Sequence, residues 1–83
     1  SILPDGDYIF EGKTLLKDFL KVTGMPENTF DKISGEAESL AGLLLELKGE
    51  IPAKHEVIEY GSCRFTIVAA DSRRIKKVKY TKL

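Results

Sequence analysis

Leu40, Leu43, Leu44 and Leu47 recur at i, i+3, i+4 and i+7, and shortly after the last of them the apolar period drops to two. That change of period, inside LAGLLLELKGEIPAKHEVIEYG at residues 40–61, constrains the fold more than any other feature. Four leucines on one helical face demand an apolar surface to cover them. Lys48 stands where the helix dipole favours a base, Glu36 and Glu38 where it favours acids, and Gly49 stops the helix. Beyond Ile51 and Pro52 the alternation of residues 56–60 reads as a strand, so helix and sheet must share one core.

The flanking segments extend this pattern. Residues 7–11, DYIFE, alternate well enough for a short strand bracketed by Gly6 and Gly12. Leu15, Leu16, Phe19 and Leu20 form one face of a first helix that Thr14 is placed to cap and that Gly24 and Pro26 close. Residues 25–36 offer only Phe30 and Ile33 as apolar anchors and read as an ordered loop with a helical turn. Residues 56–60, 63–70 and 74–80 form an antiparallel meander, with a two-residue turn at Gly61-Ser62 and a second turn at 71–73. Cys63, Phe65, Ile67 and Ala69 share a face of its middle strand. The expected architecture is α+β: a small single-layer antiparallel sheet in the order strand-helix-helix-strand-strand-strand, with two helices packed on it.

With 83 residues the chain is one domain that buries only about 60–65% of its unfolded surface, so its stability is modest. No apolar run approaches the roughly 20 residues that span a bilayer. The chain begins at Ser1, and SILPDGD lacks the basic and apolar regions of a secretory signal, which reads as a boundary within a longer protein. A single cysteine forms no internal disulfide and points to a reducing compartment.

Formal charge sums to zero, but the charges are segregated. Residues 1–71 hold all 13 acids and 7 bases, a charge of −6; residues 72–83 hold 6 bases and no acid, a charge of +6. Three explanations compete for the basic stretch containing Arg73, Arg74, Lys76, Lys77 and Lys79. It is a solvated face or an edge strand whose lysines deter pairing; or it docks on an acidic partner, an anionic lipid face or a nucleotide phosphate; or it binds nucleic acid, which the acidic remainder of the chain disfavours.

The chemistry-bearing residues are sparse. Cys63 and His55 are the only thiol and imidazole, and the strand pattern puts Cys63 inward and His55 in a turn, which opposes a nucleophile–base pair. One His and one Cys fall short of a closed zinc site, and the acids lack calcium-loop spacing. Gly12-Lys13-Thr14 leads into a helix like part of a phosphate loop, but Asp7 stands where the upstream glycine belongs, so a turn and cap is the plainer reading. Lys13 and Thr14 are nevertheless the best anion-binding candidates on that side.

Taken in order, DGDYIFEGKTLL, ESLAGLLLELKGEIP and EVIEYGSCRFTIVAADSRRIKKVKY resemble the opening strand and helix, the central helix and the closing meander of the CorC/HlyC transporter-associated domain. Two places depart from that pattern: Lys54-His55 stand where a glycine-acid turn is usual, and Ser72 where glycine usually follows the aspartate. The resemblance implies a parent protein linked to magnesium and cobalt efflux, with a transmembrane region, a cytoplasmic pair of CBS domains and this module at its end. It implies a non-catalytic accessory domain on the cytoplasmic side of the plasma membrane, whose partner is the rest of its parent. The family fold also resembles a subdomain of flavin-binding oxidases, so a flavin or an adenine nucleotide is the alternative ligand, in a cleft between helices and sheet near Lys13 or Arg64. A weak homodimer through the final strand is a further expectation.

Overall fold

The computed structural model describes residue 3, residues 6–33 and residues 35–83. Six elements follow one another: β1 (Tyr8–Glu11), α1 (Leu16–Thr23), α2 (Leu40–Lys48), β2 (Val57–Tyr60), β3 (Cys63–Ala70) and β4 (Ile75–Lys82). The strands form one antiparallel sheet in the order β1-β4-β3-β2. β4 thus lies inside the sheet, with Tyr8 opposite Tyr80 on one side and Phe65 opposite Tyr80 on the other. This corrects the expectation of a free final strand: β1 and β2 are the edges, and β4 has no open side on which a second copy could pair along Lys77 to Tyr80.

Both helices cover the same face of the sheet. Leu16, Phe19 and Leu20 of α1 and Leu40, Leu43 and Leu44 of α2 are buried against Ile58, Cys63, Phe65, Ile67, Ile75, Val78 and Tyr80. All seven aromatic rings join one network centred on Phe19, which lies 4.9 Å from Phe10, 5.1 Å from Tyr80 and 5.8 Å from Phe65 between ring centroids. Edge-on pairs of this kind add about 0.5–1.5 kcal/mol each beyond their burial. No polar or charged side chain is buried among the described residues, so the core is held by apolar contact alone.

The helix starts differ from expectation. Thr14 does not cap α1, whose first residue is preceded by extended Leu15 with no side-chain cap bond. Instead the strand-like bridge between Leu15 and Ser39 lets Glu38 O accept from Leu16 N at 2.8 Å. α2 begins at Leu40, and Ser39 Oγ accepts from Gly42 N at 3.1 Å, so Glu36 and Glu38 precede its first turn. Its other orphan amides are met by the β1–α1 linker, Leu40 N donating to Thr14 O and Ala41 N to Gly12 O. Residues 25–33 form the anticipated ordered loop, a run of turns in which Thr29, Asp31 and Ile33 each donate three residues back and Phe30 is buried.

Gly12 is needed for closeness of approach. A Cβ there would stand 2.1 Å from Ile75 O and 3.2 Å from Ala41 Cβ, while Gly12 N donates to Lys76 O at 2.8 Å. One glycine therefore lets the end of β1, the start of β4 and the first turn of α2 meet. Both places where the chain departs from the family pattern have local solutions. His55 takes φ 75°, the one non-glycine residue in the left-handed region among those described, and its amide donates to Ile67 O at 2.8 Å. At Ser72 the preceding aspartate closes the turn, Asp71 Oδ1 accepting from Arg73 N at 2.8 Å and Arg74 N at 2.9 Å.

Candidate functional site

With both helices on one side, no helix or strand among the described residues covers the opposite face of the sheet. Strand alternation places Asp7, Ile9 and Glu11, then Lys77, Lys79 and Thr81, then Arg64, Thr66 and Val68, and finally Val57 and Glu59 on that face. A register shift after Ile67 sets Ala69 opposite Lys77 there, which corrects the expectation that Ala69 shares the face of Cys63, Phe65 and Ile67. The register interleaves the charges that the sequence keeps apart. Asp7 Oδ2 lies 3.4 Å from Lys79 Nζ and accepts from Thr81 Oγ1 at 3.1 Å. Arg64 Nε donates to Glu59 Oε2 at 2.7 Å, and Glu11 faces Lys77 across the strands. The acids of β1 and β2 thus screen the bases of β3 and β4, which is why a +6 segment sits in a sheet without mutual repulsion unfolding it.

Arg64 belongs to this uncovered face, between buried Cys63 and buried Phe65. The period of two turns it away from the helices, so it cannot line a cleft between helices and sheet. Lys13 is exposed and pairs with Glu11 at 3.6 Å. The amide of Thr14 donates to Glu11 O, that of Gly12 to Lys76 O and that of Leu16 to Glu38 O, so those three donors are already engaged and form no anion cradle. Thr14 contributes its carbonyl to α2 instead.

The remaining bases gather at the β3–β4 turn. Lys76 lies 3.6 Å from Asp71, whose carboxyl is held below its ordinary value first by the amides of Arg73 and Arg74. Arg73, Arg74 and Lys77 are exposed, and their side chains make no ion pair among the described residues. Elsewhere Lys48 and Glu56 pair, which raises the lysine and lowers the carboxylate, the mutual hydrogen bond being the main cause in each.

Cys63 faces inward as expected, its Sγ 3.9 Å from Met25 Sδ. Burial pushes its thiol up and drives Tyr80 up to about 12, so both stay protonated near neutrality. His55 is tied to Ile67, four residues along β3 from Cys63, a separation of roughly 13 Å at strand rise. Thiol and imidazole are not brought together. Among the described residues no three His, Cys, Asp or Glu side chains gather as a metal site.

A cleft lies where sequence reasoning did not look, between α1 and the loop that follows it. Leu16, Leu20, Met25 and Phe30 form its floor, and Lys17, Lys21, Glu27 and Asp31 its rim. Neither Lys13 nor Arg64 lines it. The signal for it was present in Lys17 and Lys21, one turn apart on the polar side of α1, but the course of residues 25–33 could not be read from so few apolar anchors.

Comparison with known proteins agrees with this fold. The profile of the CorC_HlyC family, described as a transporter associated domain, matches residues 1–83. Hemolysin C of Brachyspira hyodysenteriae is 32% identical over 79 residues, which are 95% of this chain and 28% of that protein. The chain therefore spans little more than a quarter of that curated relative. The transporter associated domain of a CBS domain protein from Porphyromonas gingivalis is 38% identical and superposes with a TM-score of 0.91 over 100% of this chain and 95% of that one. The corresponding domain of a Xylella fastidiosa hemolysin, solved in complex with Mg++ and Mn++, is 25% identical with a TM-score of 0.82, covering 100% and 95%. The order β1-β4-β3-β2, the helix layer on one face and the match over the full length identify this chain as a member of the CorC_HlyC family of transporter associated domains.

Proposed function

We propose that this domain is a non-catalytic accessory part of a longer, CBS-domain-containing membrane protein of magnesium or cobalt efflux, held on the cytoplasmic side of the plasma membrane. It acts by packing against its parent's CBS pair and shifting the population of transport-competent states. The observation that carries this reading is the full-length match to the domain of a CBS domain protein, at 38% identity and a TM-score of 0.91. The uncovered sheet face supplies the contact surface, with Val57 49% exposed beside paired charges. Coupling between domains typically amounts to about 1–3 kcal/mol, a 5- to 150-fold shift, and requires contacts that differ between two states of the parent.

The test is cobalt and magnesium efflux from cells carrying the parent intact, lacking this domain, or bearing Val57→Asp and Val68→Asp on the uncovered face. Altered efflux in both altered forms is expected. Efflux unchanged by removal of the domain would overturn the reading.

The cleft beside α1 favours a second reading, a module that binds a flavin or an adenine nucleotide. Its apolar floor would take the ring system and Lys17 and Lys21 the phosphates. Ligand at a hundred times Kd stabilises by about 2.7 kcal/mol, which in a domain this small raises Tm by roughly ten degrees or more. A thermal-shift series with FMN and ATP decides it, and a flat series removes the ligand reading.

A further inference from the structure

The continuation of the β1–β4 ladder carries Lys13 to the side of the β3–β4 turn, because Glu11 faces Lys77 and Gly12 N bonds Lys76 O. Two segments sixty residues apart in the chain are thereby joined into one corner holding Lys13, Arg73, Arg74, Lys76 and Lys77, with Glu11 and Asp71 as its acids: five bases against two carboxylates, a net of +3. The acids are largely committed. Glu11 pairs with Lys13, and Asp71 with Lys76 and the two arginine amides. Asp71 also fixes the turn backbone, so Arg73 and Arg74 leave it side by side into solvent.

We propose that this corner seats against the phosphate headgroups of an anionic membrane leaflet. The corner is the end of a turn plus one linker residue, and it contributes no aromatic side chain to anchor a protein interface. Its five bases are all exposed, and of the exposed large hydrophobic residues Leu15 alone shares a segment with one of them, while Val22, Leu45, Val57 and Leu83 belong to other segments. A headgroup layer needs no shape complement, only density of charge, and each base near such a surface adds about a fivefold gain in partition. Three unpaired bases give about a hundredfold, which is weak in solution and useful once a parent chain holds the domain beside the bilayer. That last step rests on the accessory-domain reading given above. The orientation follows: the turn and the Lys77 end of the sheet point at the membrane, and the rest of the sheet face stays free for the parent's other domains.

The experiment is co-sedimentation of the 83-residue chain with lipid vesicles, since solved relatives of the same span show that the domain folds on its own. Partition onto phosphatidylglycerol-rich vesicles about a hundredfold above pure phosphatidylcholine is expected at low salt, fading as salt rises from about 0.05 to 0.5 M. R73Q with R74Q should lower it more than tenfold, while K32Q with K82Q, exposed lysines away from the corner, should change it little. Equal binding to both vesicle types, no binding to either, or equal loss in the two double variants would overturn the proposal. So would displacement from the vesicles by ATP at matched phosphate concentration, which would make the corner a soluble-phosphate site. Because the assay uses the isolated domain, its failure leaves the efflux test of the parent untouched.

Discussion

Gly12 matches what its position demands, and His55 does not. Gly12 sits where no side chain fits, so Gly12→Ala forces its Cβ into Ile75 O and should cost about 1–3 kcal/mol, read as a lowered urea midpoint with unchanged slope. His55 sits at φ 75°, where a side chain is unfavourable and glycine is at ease. His55→Gly should therefore stabilise by about 0.5–1 kcal/mol, seen as a rise in Tm, because the relief of left-handed strain exceeds the added chain entropy. The sequence shows a glycine at 12 and a histidine at 55, yet the reason for each lies in a neighbour. Ile75 is more than sixty residues from Gly12, and no local pattern announces that their backbones touch. Lys54-His55 could be flagged as a departure from the family turn, but the left-handed residue could not be assigned to one of the two.

At the scale of elements, the β3–β4 turn depends on an ionised aspartate. The Asp71 carboxyl is depressed in the fold, so its contribution is complete above the unfolded value of 3.8 and is lost as pH falls through the lower folded value. Asp71→Asn should be less stable than the unaltered chain at pH 7, with the difference closing as pH falls from 3.8 through the lower folded value; guanidinium unfolding at a series of pH values checks this. Most elements were legible because period and punctuation agreed, as with the leucines of α2 before Gly49 and the alternation of β3 from Cys63 to Ile67, whereas the register shift that turns Ala69 away leaves no mark in the pattern. The cap of α1 was misjudged because Thr14 looks locally adequate, while the true partner of Leu16 N is Glu38, supplied by a segment arriving from elsewhere. Ser39 was overlooked for the converse reason: the acids at 36 and 38 drew the helix start too early, although Ser before a leucine run is the stronger signal.

For the molecule as a whole, Phe19 links both sides of the ring network and is fully buried. Phe19→Ala should remove about 3–5 kcal/mol, a large share of the roughly 4–12 kcal/mol expected of a domain this size, and leave a chain whose unfolding is no longer sharp in calorimetry. The fold class was readable from the sequence, and so was the inward face of Cys63. Strand order was not, since alternation tells which residues share a face but not which strand lies beside which. That gap concealed the arrangement of the candidate surface: the pairing of Asp7 with Lys79 and the placement of Lys13 beside the 71–74 turn both follow from β1 joining β4.

The interior place of β4 also sets when this domain becomes a structure at all. Ribosomes deliver residues in order, so β1, both helices, β2 and β3 emerge before the strand that must lie between β1 and β3. Until about residue 82 leaves the exit tunnel, Tyr8 and Phe65 have no shared neighbour, and the nascent chain stays open to proteases and chaperones. Folding of this stretch therefore waits for β4, and its speed is governed by closing a loop of some seventy residues rather than by any helix.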